Sequence, residues 1–297
     1  MGNIISSRKN PHIQFIDKLK KRAARDQYGA YIVEGLRELK RAYQTQHLRE
    51  IYFCPHYFSS QEHGAFLQQL STKSPVPQYE VSAYAFEKIS LREGMDGFIG
   101  IGIPLKTLKS DLQQLVLFET PLILVAESIE KPGNLGAILR SADSAGVNAV
   151  VLLDPRTDLY NPNCIRASQG AIFSIPIILS YYQEWEYYCR EKEWQWVVMT
   201  PHAESHFWSI DMKRPTAIIL GSEKDGLREN WFRHPSSRMV KIPHHGISDS
   251  LNVSVATAIV LYEAVRQRTL YPSVNALSKS LLDINSTDST IPEQHRR

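Results

Sequence analysis

Three segments of the chain set polar side chains where a loop runs into a helix. The first, E-K-P-G-N-L-G-A-I-L-R-S-A-D-S-A-G-V over residues 130–147, carries Asn134 near the expected helix start and Arg140 six residues later, inside an otherwise small and apolar helix. Asn134 has the side chain of a helix cap. Arg140 needs an anionic partner, either a carboxylate or a phosphate. The second segment, I-I-L-G-S-E-K-D-G-L over residues 218–227, is a glycine-bounded loop after an apolar strand. Glycines at such a turn let a ligand approach the backbone, and Glu223 can accept from ligand hydroxyls or an amine, or sit at a helix start. The third, residues 241–263, opens a helix with Ser250 and Asn252, where capping is the simplest role. His244 and His245 are adjacent and have no further ligands at metal spacing, so no metal site is read there.

Other catalytic templates are absent from the sequence. G-F-I-G-I-G at residues 97–102 is not G-x-G-x-x-G opening a helix, and there is no Walker loop, G-x-S-x-G elbow or H-E-x-x-H. The three cysteines, Cys54, Cys164 and Cys189, are odd in number and contain no C-x-x-C pair, which fits a reducing compartment and gives no zinc or redox motif.

The elements that position the three segments follow from the pattern of apolar runs. An apolar strand is expected over 122–127, a helix over 135–145 and a second strand over 148–154. Further strands are expected over 175–179, 194–200, 217–220 and 238–242, with helices over 162–169, 181–192, 227–233 and 251–268. Uninterrupted apolar strands separated by helices predict an α/β domain whose mostly parallel sheet is covered on both faces, with ligands at the strands' carboxyl ends. The last helix, L-N-V-S-V-A-T-A-I-V-L-Y-E, is apolar or small on nearly all sides and is expected to be buried all round, inside the domain or against another subunit.

The first hundred residues read as a smaller α/β unit: a basic helix over 15–25, a strand over 28–33, a helix over 34–43, then alternating elements to a β-rich stretch at 97–103. The expected division is 1–105, a linker at 106–120, a second domain at 121–270, and a Ser/Thr/Asp-rich tail at 271–297 expected to be disordered.

With 43% hydrophobic and 22% charged residues, the 297-residue chain has the composition of a soluble globular protein, and no window is long and apolar enough to span a membrane. The net charge of +3 hides an asymmetry. Residues 1–49 hold eleven Lys or Arg against four acids, a surplus of +7 that leaves −4 for the remainder. Such a segment suits an anionic partner, nucleic acid or membrane surface, or is simply a solvated helix face. M-G-N-I-I-S matches a myristoylation pattern and is read as a chance match. Without a secretory h-region or a transit-peptide composition, the expected location is the cytoplasm.

Taken together, the three segments resemble the SpoU (TrmH-like) branch of the SPOUT methyltransferases. N-L-G-A-I-L-R-S-A at 134–142 is similar to the family's first motif, L-G-S-E-K-D-G-L at 220–227 to its second, and I-P-H-H-G-I-S-D-S-L-N-V-S-V-A at 242–256 to its third; R-A-S-Q-G-A-I-F at 166–173 also fits. His244-His245 departs from the more usual small or apolar residue after I-P. More loosely, S-R-K-N-P at 7–11 and Y-I-V-E-G-L-R at 31–37 resemble the substrate-binding domain of ribosomal-RNA members. The resemblance implies a trefoil-knotted catalytic domain that works as a homodimer through its C-terminal half. It implies methyl transfer from S-adenosylmethionine to a ribose 2′-hydroxyl in RNA, most simply large-subunit ribosomal RNA. A transfer-RNA substrate, or an RNA-binding ribosome-assembly protein of low turnover, are the alternatives. RNA thereby replaces membrane as the expected partner, with Arg8, Lys9, Lys20, Lys21, Arg22, Arg25 and Arg37 as the contacts.

The same resemblance assigns activation of the hydroxyl to Arg140, with Asn134, Glu223, Ser250 and Asn252 building the site around it. Thr200, Gly221, Ile242 and Leu251 are the implied adenosine contacts. A guanidinium, with a pKa above ~12, is a poor base, so Arg140 is better read as an electrostatic clamp while an RNA phosphate or water takes the proton.

Overall fold

The computed structural model describes residues 4–104, 108–109, 112, 119–190, 192–247 and 250–270. The 271–297 tail and most of the 106–120 linker lie outside the described residues.

The N-terminal unit comprises α1 (Pro11–Lys18), α2 (Arg22–Tyr28), β1 (Tyr31–Glu34), α3 (Leu36–Gln44), β2 (Leu48–Phe53), α4 (Gln61–Lys73), β3 (Gln78–Glu80), α5 (Ala83–Ile89) and β4 (Phe98–Gly102). Its sheet has the order β1-β4-β2-β3 and is antiparallel except where β2 meets β3. The single basic helix expected over 15–25 is two helices. Asn10 caps the first through His12 N, and Arg25 holds the break, its Nη1 donating to the carbonyls of Leu19 and Lys20.

The second unit contains β5 (Leu108–Lys109), β6 (Leu122–Glu127), α6 (Pro132–Ser144), β7 (Ala149–Leu153), α7 (Pro162–Ser168), β8 (Ile177–Ser180), α8 (Tyr182–Cys189), β9 (Gln195–Met199), β10 (Thr216–Leu220), α9 (Asn230–Arg233), β11 (Ser237–Val240) and α10 (Val253–Leu270). Its seven strands pair throughout in parallel in the order β11-β9-β10-β6-β7-β8-β5. Strands β6, β7 and β10 are buried at every position. One face packs on Leu135, Ile138 and Leu139 of α6 and Val260 and Leu261 of α10, the other on Tyr182, Trp185 and Trp231. Each such fully buried side chain contributes about 1.5–3 kcal/mol, so the central strands anchor the loops at their ends.

Helices α6 and α7 cross at Gly136. A Cβ at this position would lie 2.3 Å from the Cys164 carbonyl oxygen and 2.7 Å from Ala167 Cβ. Gly136→Ala gains about 1 kcal/mol of helix propensity, but forcing apart two packed backbones costs about 1–3 kcal/mol or more. The expected net result is a destabilised protein with a lower denaturation midpoint, measured by urea unfolding.

The two units share one core, in which Tyr31, Leu36, Leu39 and Ala42 join the residues beneath α6 and α7. Tyr31 stacks on Tyr160 with ring centroids 4.3 Å apart. Arg25 pairs with Asp158 at 2.6 Å, the two side chains only 4% and 9% exposed. This corrects the expectation that Arg25 grips RNA: its guanidinium is consumed inside the junction by Asp158 and two backbone carbonyls, and a phosphate would have to displace all three.

Of the two burials expected for α10, inside the domain or against another subunit, the first is not found. The helix is not buried all round within one chain, because Val255 and Tyr262 are about half exposed while Val260, Leu261 and Ala264 are fully buried. Among the described residues no helix is long and apolar enough to cross a membrane.

Candidate active site

A cleft of about 620 Å³ opens at the carboxyl ends of β9, β10 and β11 and beside the start of α6, within the range of small-molecule sites. Met199, Leu220, Ile242, Val253 and Ala256 give it an apolar lining, while Asn134, Thr200, Glu223, Ser250 and Asn252 supply polar groups. Gly221 and Leu251 also line it.

The three motif segments meet through one chain of hydrogen bonds. Asn252 Nδ2 donates to Asn134 Oδ1 at 3.1 Å, and Asn134 Nδ2 donates to Glu223 Oε1 at 2.7 Å. Glu223 also accepts from the backbone N–H groups of Glu130 and Lys131 at 3.1 and 3.3 Å. Asn134 is therefore not the helix cap its position suggests. Pro132 starts α6 with Lys131 as the cap residue, leaving Asn134 in the first turn with its amide free to join Glu223 and Asn252. Asn252 does cap, its Oδ1 accepting from Ser254 N and Oγ at the start of α10.

Burial alone would raise the Glu223 carboxyl, but Asn134 and the backbone donors outweigh it and hold the group below the ordinary carboxylate range. Its negative charge thus persists across neutral pH, beside the N-terminus of α6 where a helix favours an anion.

The loop carrying Glu223 is closed by reciprocal bonds between Ser222 and Gly226. Gly221 must be glycine here, since a Cβ would lie 2.3 Å from the Gly226 carbonyl carbon. Sequence reasoning missed the ion pairs that anchor this loop. Arg228 binds Glu127, at the end of β6, and Asp154, after β7. Arg156 Nη1 lies 2.6 Å from both Glu130 and Asp225. Charged residues just past the ends of apolar strands were the available signal.

Arg140 stands apart. It is exposed on α6, about 9 Å along the axis and roughly 120° around it from Asn134, and is not among the residues lining the cleft. Of the N-terminal cations, Lys9, Lys21, Arg22 and Arg37 face solvent. Arg8 is held by Glu87 and Tyr84, and Lys20 by Asp17 and the Lys88 carbonyl.

The donor set suits a nucleoside joined to an amino acid. An apolar floor can hold a base, hydroxyl- and amide-bearing rim residues can bind ribose, and an ionised Glu223 can attract a cationic ligand.

Residues 121–262 match the model of the SpoU rRNA Methylase family, and residues 10–100 match the MRM3-like substrate binding domain. The chain is 37% identical over 163 residues to the 23S rRNA (guanosine-2′-O-)-methyltransferase RlmB of Salmonella typhi, a match spanning 54% of this chain and 67% of that protein. It is similar to the crystal structure of an RNA 2′-O ribose methyltransferase with a TM-score of 0.77 and 36% identity, covering 90% of this chain and all of the other. An AdoMet-bound rRNA methyltransferase from Sinorhizobium meliloti gives a TM-score of 0.76 at 25% identity, over 89% and 97% of the two chains.

Proposed function

The chain belongs to the SpoU rRNA methylase family, and from that membership we propose that it methylates a ribose 2′-hydroxyl of large-subunit ribosomal RNA with S-adenosylmethionine as donor. The observation that carries this reading is the Asn252–Asn134–Glu223 chain, which closes three distant motifs around one cleft. Bound there, S-adenosylmethionine supplies a methyl group already activated by its sulfonium.

The residues of the chain then have separable tasks. Thr200, Gly221, Ile242 and Leu251 hold the adenosine. Asn134, Glu223, Ser250 and Asn252 fix the cleft wall and orient the ribose. Arg140 clamps the hydroxyl oxygen and a neighbouring phosphate, and the proton leaves to that phosphate or to water. The division into an RNA-binding unit at 1–105 and a catalytic unit at 121–270 belongs to the same reading, as do the trefoil threading of the second unit and a cytoplasmic location.

Because Arg140 is exposed and does not line the cleft of its own chain, the reading calls on a second copy to bring it to a reacting ribose. The outer face of α10, with Val255 47% and Tyr262 51% exposed, supplies an apolar contact for it beside α6. Tyr262→Asp buries a charge in that contact, so sedimentation should show monomer where the parent protein is dimeric, with methyl transfer lost alongside. A Tyr262→Asp protein that sediments and turns over as the parent does would place the contact elsewhere.

The decisive experiment is ribose-methylation mapping of cellular RNA with and without the gene, followed by methyl transfer to the purified RNA. A lost large-subunit site supports the proposal, whereas a lost transfer-RNA site, or none, supports the alternatives. For the RNA contacts, Lys21→Glu with Arg22→Glu should weaken RNA binding and flatten its dependence on salt by about 0.7–0.9 in the log–log slope per lost phosphate contact. Unchanged slopes would make these residues a solvated face only.

A further inference from the structure

Beside the cleft, the segment between β9 and β10 pairs with the end of β11, and of this region the catalytic reading uses only Thr200 and Ile242. Four of the five tryptophans are buried, at 9% exposure or less, and Trp208 alone is open at 51%. It is nevertheless held in place. Its ring stacks on His206, with centroids 4.7 Å apart and planes 16° from parallel, and meets the edge of Phe207 at 5.0 Å. Phe207 is buried in the main core and anchors the short helical turn that carries the tryptophan. A large aromatic kept rigid with one face in solvent is preorganised for a planar ligand.

Its position adds the second observation. Lys241 N donates to Ser205 O and Phe207 N donates to Lys241 O, so the His206–Trp208 turn is paired directly to the strand that continues into Ile242 and His244 of the cleft. His202, on the same connection, also lines the cleft. Lys241 makes no ion pair among the described residues and supplies a cation beside this turn, whose own connection carries Glu204 and Asp211. The N-terminal unit contacts the loop after β7, through Asp158 and Tyr160, while this turn lies beside β9 and β11. Three to four strand spacings separate them in the sheet, about 14–19 Å, a span of a few nucleotides.

We propose that the His206–Trp208 stack, with Lys241 beside it, is a platform for an unpaired nucleobase of the substrate RNA, flanking the nucleotide whose ribose is methylated. The platform rests on the RNA-methyltransferase reading above. Single-stranded bases are recognised by stacking on aromatic side chains whose flat faces accept any base, with nearby cations meeting the phosphates.

The test uses the full chain and a large-subunit ribosomal RNA transcript. Trp208→Ala should raise the KM for RNA by about 5- to 150-fold while leaving kcat and the affinity for S-adenosylhomocysteine unchanged, and Trp208→Phe, which keeps a ring, should remain within a few-fold of the parent. Because the other four tryptophans are buried, acrylamide quenching reports on Trp208, and saturating RNA should suppress it. An unchanged KM with undiminished quenching in the RNA complex overturns the platform while leaving the methyltransferase reading intact. Suppression that grows with protein concentration alone assigns the ring to a contact between copies and also overturns it. A parent protein that methylates no RNA removes both.

Discussion

Arg140→Ala is expected to lower kcat by about 10²–10³-fold with little change in affinity for S-adenosylhomocysteine. The reason is positional. Arg140 is exposed and does not line the cleft, so its removal leaves the walls of the cleft intact. It would act where charge develops on the ribose oxygen, and an interaction made only in the transition state appears in kcat. Arg140→Lys should recover only part of the loss, since an ammonium cannot bridge two oxygens in the fork geometry of a guanidinium. Single-turnover methyl transfer with saturating RNA checks the first statement, and calorimetric titration checks the second. An alanine variant that turns over at the parent rate would remove Arg140 from the mechanism.

Glu223→Ala is expected to have an effect of similar size and a different kind. The carboxylate accepts from Asn134 and from two backbone N–H groups at the start of α6, and all three donors lose their partner at once. Hydrogen bonds to a charged group contribute about 1.5–3 kcal/mol each, so loss of even one corresponds to roughly ten- to a hundredfold in affinity. The second motif loop would then be tied to the first through the Arg156 bridge between Glu130 and Asp225 alone, loosening the cleft wall and raising both cofactor Kd and RNA KM. Glu223→Gln, which keeps one acceptor oxygen and loses the charge, should fall between the parent and alanine.

The pH dependence of this contribution has a definite sign. The folded-state pKa of Glu223 is depressed, so its contribution is fully present above the unfolded value of about 4.3 and is lost as pH falls through the lower folded value. Between about pH 6 and 9 the difference between parent and Glu223→Ala should be flat. A difference that itself titrates near neutrality would show that the carboxylate is not held ionised.

The two variants together test whether the site is shared between copies. If Arg140 of one protomer serves the cleft of its partner, mixing inactive Arg140→Ala and Glu223→Ala proteins and allowing exchange gives heterodimers with one intact site. Roughly a quarter of parental activity should return under random pairing. If Arg140 serves its own cleft, every site in the mixture carries a defect and nothing returns.

The legible parts of the molecule were those with a local signature. Strands buried on both faces must be apolar at every residue, which made β6, β7 and β10 readable as runs, and their parallel order followed from the helices between them. Glu223, Ser250 and Asn252 stood out as polar groups where loops after strands open helices, the resemblance added Thr200, Gly221, Ile242 and Leu251, and the structure gathers all seven at one cleft. The break between α1 and α2 was not legible. It depends on Arg25 reaching back to two carbonyls while pairing with Asp158, a residue 133 positions away.

A covered parallel sheet, a smaller basic unit before it, and three loops whose polar residues had no apolar reason to be there could be read from the order of residue types alone. These follow from periodicity and from the cost of burying unpaired polar groups, both of which act on neighbours in the chain. Which polar group meets which came from the packing of distant elements. Asn134 finds Glu223 across 89 positions and Asn252 across 118, and so becomes a junction instead of a cap. Packing also left Arg25 buried, Arg140 exposed and outside the cleft lining, and one apolar side of α10 uncovered. A side chain's charge is written in the sequence, but its partner is chosen by the packing of elements that are remote along the chain.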